Sequence, residues 1–136
     1  MRGHVLQPDQ FRVNEAWIVF QLNKDPILTE GDGSFNCIAL MDAASCFILA
    51  NWLIPAASPD LTQLEARRLL KQAWTHKKAY PAKFLVPPGP FQTALSSELK
   101  RYGAAVVPVK KSQIRSFVGE AQQGFRQYAA RDADEA

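Results

Sequence analysis

The chain has 136 residues, 47% of them apolar, enough for one domain with a proper core and too apolar for a disordered segment. Its net charge of +3 is unevenly spread: residues 1–57 carry three Lys/Arg against six Asp/Glu, and residues 58–136 carry thirteen against seven. Both cysteines, Cys37 and Cys46, lie inside apolar runs with no CxxC or Cys/His cluster, which excludes a disulfide framework and argues against structural zinc.

Residues 1–12 read as an N-terminal extension, and Pro8 argues against a long regular element there. They lack the apolar stretch of a signal peptide, so a cytoplasmic protein is expected. The domain itself is expected over residues 13–130. Val13–Leu22, rich in β-branched and aromatic residues, predicts the first strand. Asn23–Ser34, with Pro26, Gly31 and Gly33, predicts a loop. Its Gly31-Asp32-Gly33 run is turn chemistry rather than a phosphate cradle, because no helix follows it. Phe35–Met41 and Cys46–Ile54 predict the second and third strands, joined by a tight hairpin turn at Asp42–Ser45. Neither alternates cleanly, so both faces of the sheet are expected to be covered. Read as one apolar segment, residues 37–57 are long enough to cross a membrane. The break at Asp42–Ser45 favours two buried strands instead, and no membrane partner is expected.

From Ser58 the apolar period changes from two to about 3.6. Ser58 as N-cap, Pro59 at the first helical position and Asp60 beside it predict a helix start. Its apolar stripe is Ala66, Leu69, Leu70, Ala73 and Trp74, running toward Lys78. Lys83–Val86 predicts a fourth strand, and Phe91–Tyr102 a second helix stopped by Gly103. Ala104–Val109 predicts a fifth strand, with Pro108 marking an edge or an end. Ser112 is the expected cap of a last helix with the stripe Ile114, Phe117, Val118, Ala121, Phe125 and Tyr128, followed by a flexible tail at 131–136. The order is three strands, helix, strand, helix, strand, helix. The expected fold is α/β, a five-stranded mixed sheet with helices on its faces.

Few residues offer chemistry. The histidines are His4 and His76, neither with a Ser or Cys in a nucleophile turn nearby. Trp17, Trp52 and Trp74 fall on strands and on a helix stripe, as core residues do, rather than as base-stacking platforms. Arg67, Arg68, Lys71, Lys77 and Lys78 on the first helix, with Lys110 and Lys111 before the last, are the candidates for contacting phosphates. Solvated helix faces share that composition.

The element order, together with Trp17, the turn Asp42–Ser45, Pro81, Gly89, Pro90, Phe91, Gly103 and the pair Gly119-Glu120, resembles the ribonuclease H-like superfamily. Within it, the chain most resembles the catalytic core of retroviral-type integrases and DDE transposases, over roughly residues 13–130. The resemblance implies two-metal phosphoryl transfer, with carboxylates converging on divalent cations that activate the attacking oxygen and stabilise the leaving one. The pattern departs from that chemistry at the acids. The first-strand acid would fall at Phe20 and the fourth-strand acid at Pro87, with Pro88 beside it; only Glu120 matches an acidic position. Asp42 ends the second strand and is placed at the wrong end of the first. Asp25 and Asp32, in the loop leaving the first strand, are the remaining substitutes.

The expectation is therefore a non-catalytic, integrase-core-like binding module with no metal site and no cofactor. Its expected partner is nucleic acid or another protein, a homodimer included. The rival expectation is a divalent-metal-dependent nuclease or strand-transfer enzyme using Asp25, Asp32 and Glu120.

Overall fold

A computed structural model describes residues 5–23, 27–31, 33–57, 61–88 and 92–124. Asp25, Asp32, His4, the Ser58–Asp60 cap, Gly89–Phe91 and the stripe residues Phe125 and Tyr128 lie outside the described residues.

The strands are β1 (Ala16–Gln21), β2 (Ile27–Thr29), β3 (Gly33–Asp42), β4 (Ile48–Pro55), β5 (Lys83–Val86) and β6 (Ala105–Pro108). The helices are α1 (Gln63–Lys77), α2 (Gln92–Arg101) and α3, helical over residues 115–124. β3 is antiparallel to β1, β2 and β4, while β1, β5 and β6 run parallel to one another. The sheet is mixed, as expected, but has six strands. The added one is β2, in the segment expected to be loop. Phe35 pairs with Ile27 on one edge and Pro55 on the other, so β2 lies on the same edge of β3 as β1. β2 is thus the interrupted continuation of β1, and it folds back into β3 through the glycine-containing turn. At Gly33 φ is +85°, a conformation that favours a residue without Cβ.

β1 begins three residues later than its apolar run predicts. Asn14 adopts φ 63°, which breaks the extended backbone ahead of Ala16. α1 also begins later than the Ser58 signal predicts, with Thr62 as its N-cap. The Thr62 hydroxyl accepts from the Glu65 amide at 3.1 Å, and the Glu65 carboxylate accepts from the Thr62 amide at 3.0 Å. This reciprocal capping box satisfies two otherwise orphaned donors. The same carboxylate accepts from the Trp52 indole at 2.9 Å, tying β4 to the start of α1. The last helical run opens with a single 3-10 turn at Lys111–Ile114. Its N-cap is Lys110 rather than Ser112, and the Lys110 amide donates to the Gln113 side chain at 2.9 Å.

Alternation along the strands sends side chains to two cores. On one face Trp17, Val19, Ile38, Leu40, Phe84 and Val86 pack with four residues of the expected α1 stripe (Ala66, Leu69, Leu70 and Ala73) and with Leu95 and Leu99 of α2, while its fifth member, Trp74, is half-buried and outside this core. On the other, Ala16, Ile18, Phe20, Ala39, Met41 and Leu85 pack with Ile114 and Phe117. Leu6 and Phe11 pack onto this second core, and the Leu6 amide donates to the Gln113 carbonyl at 2.7 Å. Each fully buried large side chain here contributes about 1.5–3 kcal/mol. The apolar segment 37–57 is the β3–β4 hairpin, and no helix among the described residues is long and apolar enough to cross a membrane.

Candidate functional site

The parallel register of β1 and β5 pairs Trp17 with Phe84 and Ile18 with Leu85. Continued two residues further, it brings Phe20 opposite Pro87. The two positions where the resemblance expects acids therefore do meet, at the carboxyl end of the strands. In open α/β sheets this end is where ligands bind.

A cavity of about 400 Å³ opens there. Its sheet wall is Phe20, Gln21, Pro87 and Pro88. Its other wall is the last helical run, through Lys111, Ile114, Arg115, Val118, Gly119 and Gln122. Phe20 is 3% exposed and Pro87 is buried, so the floor is apolar. Gln122 donates from its side chain to the Gln21 carbonyl at 2.9 Å, closing one end. Lys111 and Arg115 stand exposed at the mouth, and neither side chain has an ion pair or hydrogen bond among the described residues.

This donor set does not fit a divalent cation. Phe20, Pro87 and Pro88 offer no side-chain oxygen, and the charged lining among the described residues, Lys111 and Arg115, is positive. Among the described residues no three His, Cys, Asp or Glu side chains gather into a metal-binding group. Glu120 is exposed and not part of either cavity wall, although its neighbour Gly119 is. Its carboxylate acts instead on Cys46 at the β3–β4 turn, whose thiol is pushed up first by burial and then by Glu120 and Asp42.

Asp42 sits at the other end of β1, paired with Trp17 and wholly buried. It accepts from the Asn14 amide at 2.7 Å, the Ser45 amide at 3.0 Å and the Ser45 hydroxyl at 2.7 Å. Its carboxylate organises the hairpin turn. The second buried acid, Glu98, lies between α1 and α2. It accepts from the Gln63 amide side chain and from Arg67 at 3.1 Å, with Arg101 at 3.6 Å. Its carboxyl is held below the usual range, first by the Gln63 hydrogen bond and then by the Arg67 hydrogen bond and charge, against the opposing effect of burial.

The basic candidates divide between the two faces of the sheet. Arg67, Arg68, Lys71, Lys77 and Lys78 belong to α1 and its cap, packed on one face; Lys110 and Lys111 lead into α3 on the other. On α1, Arg67 is engaged by Glu98, and Lys78 holds its ammonium 5.0 Å from the Trp74 ring centroid. Arg68 and Lys71 are exposed. His76 packs edge-on against Phe47 at 5.3 Å. The cavity residues that sequence reasoning missed are Arg115, Gln122 and Gln21. Arg115 follows Lys111 by four residues, and that spacing was the available signal for a shared helix face.

No protein-family profile matches this sequence, and no curated protein matches it either. Solved structures do. The catalytic core domain of BIV integrase superposes with a TM-score of 0.60 at 14% identity, over 90% of this chain and 74% of that one. A chain of the simian T-cell lymphotropic virus intasome, in a complex with PP2A regulatory subunit B56 gamma, superposes with a TM-score of 0.61 at 15% identity. That match covers 91% of this chain and 41% of the other. At such identities the likeness shows the fold alone, and that fold is the ribonuclease H-like one in the form taken by retroviral integrase catalytic cores.

Proposed function

We propose that this chain is a non-catalytic binding module built on an integrase-core-like scaffold, with nucleic acid as its partner. The observation that carries the reading is the meeting of Phe20 and Pro87 at the ends of β1 and β5, facing Lys111 and Arg115. Two-metal hydrolysis needs clustered carboxylates at that point. An apolar floor with cations at its mouth favours anions instead. Lys110 and Lys111 supply phosphate contacts beside the cavity, and Arg68 and Lys71, with Arg67, Lys77 and Lys78, form a separate basic surface on the α1 face. The test combines calorimetric titration with Mg²⁺ or Mn²⁺, a nicking assay, and binding of single- and double-stranded oligonucleotides across a salt series. Binding that weakens steeply with salt, without metal uptake or cleavage, supports the proposal. Metal-dependent nicking abolished by Glu120→Gln would overturn its non-catalytic part, and absent or salt-independent binding would overturn its nucleic-acid part.

One observation favours a protein partner as the second reading. β4 is an edge strand, and Leu53 on it and Phe47 just before it are 55% and 48% exposed. Unpaired edges with apolar side chains invite strand addition. Leu53→Lys would abolish self-association measured by size exclusion with light scattering, if that edge is used.

A further inference from the structure

We infer that the cavity between the β1 and β5 ends and α3 is a binding pocket for a small organic anion, an apolar body carrying one carboxylate or phosphate group. This pocket rests on the same cavity and cations as the proposed function and makes no use of the α1 face. A volume of about 400 Å³ lies within the range of about 300–1,000 Å³ of small-molecule pockets. Phe20, Pro87 and Pro88 make the apolar side of the cavity, with Pro88 the exposed member of the three. Among the described residues, Lys111 and Arg115 supply the positive charge across from that side.

The placement of those cations is unfavourable to the empty protein. They are like charges one turn apart, and the start of a helical run is where positive side chains meet the wrong end of the dipole. The first turn contains no acid, and neither cation has a partner among the described residues. An anionic group between them relieves both penalties. Arg115 presents a planar fork suited to two oxygens of one carboxylate or phosphate, and Lys111 adds a point charge. Gly119 keeps the middle of the wall open. A methyl group at its Cα would meet no neighbour within 4 Å.

The experiment is a calorimetric titration of the whole chain with naphthoate, adenosine monophosphate and inorganic phosphate. At least one organic anion is expected to bind, one per chain, at least about tenfold more tightly than phosphate. Tighter naphthoate identifies a carboxylate ligand, and tighter adenosine monophosphate a phosphate ligand. Arg115→Glu and Gly119→Phe are each expected to weaken that binding by at least about tenfold, with Gly119→Phe melting no lower than the parent. Should Gly119→Phe melt early, the pair Lys111→Gln and Arg115→Gln, both at exposed positions, takes its place with the same expected loss. Binding of neither organic anion, equal binding of all three probes, or affinity that survives these substitutions overturns the inference.

Discussion

At the entrance to β1, the Asp42 carboxylate is wholly buried and accepts three hydrogen bonds, two from Ser45 and one from the Asn14 amide. At its exit, a few residues on, Phe20 and Pro87 line a cavity whose charged side chains have no partners among the described residues. One end is closed by a satisfied polar network; the other is open, apolar beneath and positive at the rim. Buried polar groups stabilise only when every member is matched, and unmatched charges are tolerated only where water or a ligand reaches them. One end has a structural role, and the other is where binding is proposed. Glu98 also lies away from the cavity and joins α1 to α2, although its buried Oε2 has no hydrogen-bond partner among the described residues.

The severest challenge to this contrast is to move an acid from one end to the other. Phe20→Asp removes a buried aromatic and leaves a carboxylate on an apolar floor, and is expected to destabilise by about 3–5 kcal/mol in urea denaturation. If Mn²⁺ restored that loss, the exit would be a latent metal site and the contrast would fail. Asp42→Ala strands the Asn14 and Ser45 donors and is expected to cost about 3 kcal/mol by the same measurement, without altering anion binding at the exit. A change in anion binding would show the two ends to be coupled.

The Glu98 prediction concerns pH. Its folded pKa lies below the ordinary 4.5, so its contribution to stability is fully present above that value and is lost as pH falls through the depressed one. Thermal midpoints of the parent should therefore decline on acidification below about 4.5, and Glu98→Gln should flatten that limb. The smallest effect belongs to Gly119→Ala. It should raise stability by about 0.5–1 kcal/mol through helix propensity, while leaving most of the cavity empty. A fall in stability would show the cavity wall to be tighter than described.

The strands, the α1 stripe and the Gly103 stop were legible because each is a local pattern. Ala66, Leu69, Leu70 and Ala73 recur with the helical period, and all are buried as that period requires. The start of α1 was misjudged because Ser58-Pro59-Asp60 offers a strong cap by itself, and the Thr62-x-x-Glu65 box outcompetes it by satisfying two donors reciprocally. β2 is too short for periodicity to reveal and is defined only by its pairing with β3. The meeting of positions 20 and 87 was legible through the resemblance, but the cavity was not. Its walls come from three distant stretches, and the partnerless state of Lys111 and Arg115 is a property of tertiary packing that spacing alone does not carry.

The paired prolines after β5 have a further consequence. Neither Pro87 nor Pro88 has an amide hydrogen, so the backbone leaving that strand gives the cavity no donor. In the proposed pocket, recognition of a negative group then falls to the facing helical run. Selectivity in that proposed pocket is expected to rest on a handful of codons, exchanges at positions 111, 115, 118 and 122 retuning the accepted guest while the central sheet stays as it is.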